Sequence, residues 1–235
     1  MKTRHWIQTS PRLSRISTPV ESRPRLLFGP VAWLKWQYLC HAGPTEVGGF
    51  GLSTAADPLY LEDVLVVRQR ATPLTVAFDD AAVADLFDAM ADAAIPPARF
   101  ARVWLHTHPG VSVVPSGTDE DTFARAFGGC DWAVMAILGR GGRTSARLRF
   151  SVGPGASIEL PTAVDWAAWP AAAPDTGRPF ADLIAGWREQ YEALVEQAPA
   201  IDGPTLLDPS LAQLLERPGN SPVDQFIDSL FWRTP

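Results

Sequence analysis

The chain has 235 residues, 46% of them apolar and 20% charged, the make-up of an ordinary globular protein whose core needs no disulfide or metal staple. Twenty Lys and Arg against 26 Asp and Glu give a net charge of −6, which argues against a nucleic-acid binder. No apolar run approaches the ~20 residues of a membrane span, no signal segment opens the chain, and Cys40 and Cys130 are too few for a disulfide framework, so a cytoplasmic protein without a membrane partner is expected.

Residues 1–25 carry Lys2, Arg4, Arg12, Arg15, Arg23 and Arg25 against Glu21 alone, with three prolines and no periodicity, and read as a basic mobile arm. A helix is predicted over 30–41, with Pro30 in its first turn and Gly43-Pro44 as its stop. Strand-like runs follow at 47–53, 59–68 and 74–78. Asp79 or Asp80 caps a second helix reaching about Ala94, with Val83, Leu86, Phe87 and Met90 at helical spacing. Phe100 to His108 reads as a strand, 109–118 as a loop, and a short helix starts near Asp119. Residues 131–138 and 143–152, joined by a Gly-rich turn, read as a hairpin. Beyond 155 an Ala/Pro-rich stretch, 156–179, reads as a linker. The remainder, 180–235, reads as a helical extension: one amphipathic helix over 180–197, bearing Ile184, Trp187, Tyr191 and Leu194, and a final helix capped by Ser221.

The stretch from His106 to Asp119 is the one that carries chemistry. On a strand, side chains two apart leave the same face, so His106 and His108 converge. Two imidazoles and the Asp119 carboxylate make three protein ligands with a fourth position open to water, the arrangement of a catalytic zinc site. Glu46, which follows a turn and opens a strand, is the candidate general base. Ser116, on a Pro-Ser-Gly turn, is the candidate stabiliser of a developing oxyanion. Trp104 shares the face of His106 and is expected to pack beside the site.

The order Glu46, His106-x-His108-Pro109, six residues, Ser116-x-x-Asp119 closely resembles the JAMM motif of the JAB/MPN zinc metalloproteases, the deubiquitinases and their prokaryotic relatives. The resemblance covers about 26–155. It implies an α/β (α+β) fold with a cytidine-deaminase-like core, in which a central curved mixed sheet is flanked by helices. It implies one Zn2+ held by His106, His108 and Asp119, with Glu46 as base and proton shuttle and Ser116 beside the tetrahedral intermediate. The bond cleaved would follow the C-terminal glycine of a ubiquitin-like modifier, either in its precursor or in its conjugates. E1-like and E2-like proteins are the implied partners, since bacterial domains of this kind resemble members of small conjugation operons, some of them antiphage systems. Ser53 stands where many members have Gly, and Thr107 where many have Ser.

Each residue also has a plainer reading. The histidines read as core, Asp119 as a helix cap and Ser116 as a turn residue. Glu62 is a second candidate for the base, in a separate strand. Arg147 and Arg149 read as a solvated face, and Cys40 as a small buried thiol. Two other functions fit the motif less fully: a hydrolase of short peptides or sulfur-carrier adducts, and a non-catalytic MPN scaffold.

Overall fold

A computed structural model describes residues 23–169 and 180–199. The expected arm, save its last three residues, the segment 170–179 and the helix expected after Ser221 lie outside the described residues. The architecture is mixed α/β: a curled mixed sheet flanked by helices on both faces, with a small second sheet at one side.

The chain enters through β1 (Leu26–Phe28) into α1 (Pro30–His41). Pro30 occupies the first helical turn, where its missing N–H is no loss, and the helix stops just before Gly43-Pro44. Next come β2 (Gly48–Ser53) and β3 (Tyr60–Leu65), then the short pair β4 (Gln69–Ala71) and β5 (Val76–Phe78). The Asp79 carboxylate accepts from the Ala82 N–H at 2.8 Å and so caps α2 (Asp80–Asp92). Instead of one long strand from Phe100, the chain makes a single helical turn, α3 (Pro97–Phe100), and only then β6 (Val103–His108). Pro97 favours that turn, and Phe100 is buried edge-on against Phe87.

After β6 come α4 (Gly117–Phe127) and the hairpin of β7 (Trp132–Gly139) and β8 (Thr144–Phe150). The segment expected to be a linker begins with two more strands, β9 (Ala156–Glu159) and β10 (Thr162–Val164). The predicted helix over 180–197 ends early: α5 (Phe180–Leu194) gives way to β11 (Val195–Gln197). Among the described residues no helix is long and apolar enough to cross a membrane.

The main sheet runs β10-β1-β3-β2-β6-β7-β8-β9, and the small one β11-β4-β5. β6 lies between β2, antiparallel, and β7, parallel. It is buried on both faces, with Val103, Leu105 and Thr107 turned one way and Trp104 and His106 the other. The first face packs under α1 and α5 around Phe28, Trp36, Leu39, Leu61 and Leu138. Phe28 and Trp36 stack there at 5.0 Å, a contact that adds about 1 kcal/mol to their burial. The second face packs under α2 and α4 around Phe50, Phe87, Phe123, Phe127 and Met135.

Candidate metal centre

His106 and His108 close β6, and backbone register decides what faces them. Gly48 pairs with His106 across the β2–β6 seam, and the Thr107 N–H donates to the Val47 carbonyl at 2.9 Å. Two residues further along the same antiparallel register, Glu46 falls opposite His108. The Glu46 Oε1 to His108 Nε2 distance is 3.8 Å. Close packing of β2 depends on glycine, because a Cβ at Gly49 would lie 2.7 Å from the Leu65 carbonyl oxygen of β3.

The third residue arrives on the first turn of α4. Ser116, rather than Asp119, is the cap of this helix. Its hydroxyl accepts from the Asp119 N–H at 3.1 Å, while the Asp119 carboxylate accepts from the Ser116 N–H at 2.6 Å, a reciprocal capping box. The Ser116 hydroxyl donates back to Asp119 Oδ2 at 2.8 Å. Asp119 Oδ1 is left facing His106 Nε2 at 3.3 Å, and Oδ2 lies 3.7 Å from His108 Nε2. One ligand atom from each of His106, His108 and Asp119 falls within 4.8 Å of the others.

Three features suit this group to a cation. Both ring nitrogens of the fully buried His106, and Glu46 Oε2, lack a hydrogen-bond partner of good geometry. Such atoms cost about 1–3 kcal/mol each when left unsatisfied, and one of them, His106 Nε2, faces Asp119 Oδ1 within the ligand group. His108 Nδ1 lies 2.9 Å from the Ser112 carbonyl, which can only accept, so the proton sits on Nδ1 and Nε2 presents its lone pair. The donor set of imidazole nitrogen and carboxylate oxygen is that of zinc and its neighbours.

Electrostatics separate the two carboxylates. Burial pushes the Glu46 carboxyl up to about 7, with His108 acting downward and Asp119 upward. Burial also works to raise Asp119, but its contacts with His106 and His108 and the Ser116 backbone outweigh that and hold it well below the usual carboxylate range. Burial lowers His106 below an ordinary imidazole, whereas the Asp119 contact raises His108. One carboxyl is thus suited to carry a proton near neutrality and the other to remain an anion.

The surroundings hold this arrangement. Trp104 stacks on His106 at 4.4 Å, on the face expected for it. Arg147 and Arg149 are not a solvated face. Arg147 makes a bidentate pair with Glu120, the neighbour of Asp119, at 2.9 and 2.6 Å, and the Arg149 guanidinium lies 4.5 Å over the Phe123 ring. Both arginines therefore fasten α4 to β8. Glu62 is engaged by Arg99 at 2.6 Å, while Cys40 is buried beneath β6 and β7, its thiol directed at the carbonyls of His108 and Leu138. Sequence reasoning missed Gln69, whose side chain brackets Gly48 from β4, and Arg140, which donates to the Gly43 carbonyl at 2.8 Å. Neither carries a motif; only the folded chain brings them to the Glu46 segment.

No protein-family model and no curated protein matches this chain. Among solved structures, one described as "JAMM: A Metalloprotease-like Zinc Site in the Proteasome and Signalosome" is similar over 59% of this chain and 97% of its own, at 16% identity and a TM-score of 0.31. Nothing is carried across at that similarity, and the chemistry of the site rests on its own residues: His106, His108 and Asp119 form a group that fits a metal ion.

Proposed function

We propose that the protein is a metal-dependent hydrolase of amide or isopeptide bonds, with zinc as the ion. Its substrate would be a bond after the C-terminal glycine of a ubiquitin-like modifier. The observation that carries the reading is the meeting of a His106-His108-Asp119 ligand group with a separate carboxyl, Glu46, 3.8 Å from His108 and poised near neutrality. The ion, when bound, supplies Lewis-acid polarisation and acidifies a water. Glu46 takes the proton from the attacking water and hands it to the leaving amine, a task suited to a carboxyl with a pKa of about 7. Asp119 stays anionic and, with the histidines, holds the ion. Ser116 orients Asp119 through the capping box, and its hydroxyl reaches a developing oxyanion only by turning away from Asp119 Oδ2.

An extended tail has a place to lie. β5 is an edge strand of the small sheet, and it borders a groove of about 520 Å³ walled by Phe50, Val76, Phe78, Phe87 and Phe127. An exposed strand edge beside apolar pockets accepts a peptide as an added strand.

The test is a substrate trap. Zinc-loaded Glu46→Gln protein captures partners from host lysate against a His106→Ala/His108→Ala control, and captured species are then offered to the wild type. Recovery of a small glycine-ended modifier, cleaved after that glycine by wild type and not by Glu46→Gln, is the expected result. Cleavage of short peptides with no dependence on a folded modifier would overturn the modifier reading in favour of a short-peptide hydrolase. Absence of stoichiometric metal and of any cleavage would overturn the enzyme reading.

A further inference from the structure

We propose that the unit formed by α5 and β11 is part of the catalytic machinery, with Tyr191 as a positioning residue that fixes the Gly43–Glu46 loop and so sets the Glu46 carboxylate opposite His108. The proposal rests on the functional reading above, in which Glu46 moves the proton.

Tyr191 is buried and lays its phenol against Gly43. A Cβ at that glycine would overlap the Tyr191 hydroxyl, with the ring carbon behind it at 3.1 Å and Gln197 Nε2 at 3.3 Å. A side chain at 43 would therefore have to displace the Tyr191 phenol or the loop itself. Gln197 Nε2 donates to the Tyr191 oxygen at 3.1 Å and ties helix to strand. Arg140 also holds the Gly43 carbonyl, while its own N–H donates to the Gly110 carbonyl at 2.7 Å, just beyond His108 in the chain. The loop is pinned at Gly43 between these two contacts, and the next residue is Pro44, which adds stiffness.

A second route runs through β11. It pairs in parallel with β4, and the Ala198 N–H donates to the Ala71 carbonyl at 2.7 Å. β4 and the residue after it supply the bonds that hold the strand of the base. The Thr72 carbonyl accepts from the Glu46 N–H at 2.9 Å. The Gln69 side chain accepts from the Gly48 N–H at 2.7 Å and donates to its carbonyl at 2.9 Å. The metal ligands stand on other elements, β6 and α4. Displacement of the Glu46 loop moves the proton carrier first, while the ligands keep their own elements and are joined to the loop through the Val47–Thr107 bonds, and an ångström of misplacement costs on the order of 100-fold in rate.

The experiment uses the full chain with Gly43→Ala, Tyr191→Phe and the double variant. Readouts are zinc stoichiometry, kcat and KM on the trapped substrate, and backbone hydrogen exchange. Gly43→Ala is expected to lower kcat about tenfold or more, to leave KM within about twofold, and to keep one zinc per chain. Exchange should quicken at residues 45–48 and 70–72, and at Thr107, whose N–H is bonded to Val47, and stay unchanged at 103–106. Tyr191→Phe removes the oxygen that the new methyl strikes, so the double variant should recover much of the lost kcat. General loss of structure would not lower kcat while leaving KM and the bound zinc unchanged; the rescue shows that the overlap with Tyr191 is the cause. Wild-type kcat with unchanged exchange in Gly43→Ala, or a double variant no better than the single, would overturn the proposal. Should the wild type hydrolyse nothing, the functional reading fails separately, and exchange at 45–48 still decides the positioning. Should Gly43→Ala not fold, Tyr191→Ala, which removes the whole ring from Gly43, decides it by the same exchange pattern.

Discussion

Glu46 and His108 occupy opposed positions on antiparallel segments, 3.8 Å apart, though they are far separated in sequence. β-register gives this proximity: Gly48 pairs with His106, and the same alignment continued outward brings the carboxylate to the second histidine. The proposed base and the candidate ligand are thereby locked to one backbone ladder. Replacing the base with its neutral isostere should therefore separate chemistry from metal binding. Glu46→Gln is expected to lose at least ~100-fold in kcat while keeping one zinc per chain, as read by elemental analysis beside steady-state kinetics.

Removing a ligand should do the reverse. His106→Ala takes away a wholly buried donor, and Asp119→Asn removes the anion shared by both histidines. Each is expected to weaken zinc affinity by more than the ~10–100-fold that loss of an outer-shell partner costs, even where the fold persists. Dialysis against a zinc buffer followed by metal analysis measures this.

Metal-free protein should carry a pH signature of Glu46. Its folded carboxyl titrates near 7 against an ordinary 4.5, so between those values the folded chain holds a proton that the unfolded chain has lost. The stabilising contribution is present below about 4.5 and is lost as pH rises through 7. Glu46→Gln cancels it, so the melting temperature of the variant should gain on that of wild type between about pH 5 and pH 8 in the presence of chelator. Asp119 has the opposite sign. Its carboxyl is depressed in the folded state, so its contribution is present above the ordinary carboxylate range and is lost in acid. Asp119→Asn should therefore cost stability at neutral pH and progressively less as the solution is acidified.

Lys35 is buried and bonds to half-exposed Asp63 at 3.0 Å. Breaking the pair leaves an ammonium without its counter-ion beneath α1. Asp63→Ala is expected to destabilise by about 1–3 kcal/mol, the lower part of the range reflecting solvent around the carboxylate. Lys35→Met keeps the apolar stem and removes the charge, and is expected to fall within about 1 kcal/mol of wild type. Chemical denaturation of both variants checks the asymmetry.

The parts of the fold legible in the sequence are those with local chemistry. Pro30 and the Gly43-Pro44 stop set the ends of α1, and Asp79 marks the start of α2. The pair His106 and His108 could be placed on one face from strand periodicity alone, and the structure does bring Glu46 and Asp119 to them. The illegible parts are made by distant partners. β1, β4, β10 and β11 are three residues each and exist because a neighbouring strand is there to accept their bonds. Arg147 looked solvated because nothing nearby in sequence announces Glu120 across the α4–β8 contact. Ser116 was seen as a site residue, yet its reciprocal bond with Asp119, which makes it the cap of α4, depended on where the helix began.

β1 sits between β3 and β10, and β8 is followed outward by β9. Both late strands come from the stretch whose composition suggests a linker. A fragment cut after residue 155 would keep every candidate ligand and Glu46, but it would remove β9, β10 and β11 and bare rows of unpaired backbone amides and carbonyls on β8, β1 and β4. Such rows recruit other chains. Expression of that shortened form should yield aggregates, or a fold that survives only at low concentration, and a library of truncations should show soluble protein beginning to return once residue 164 is included and recovering in full only with α5 and β11.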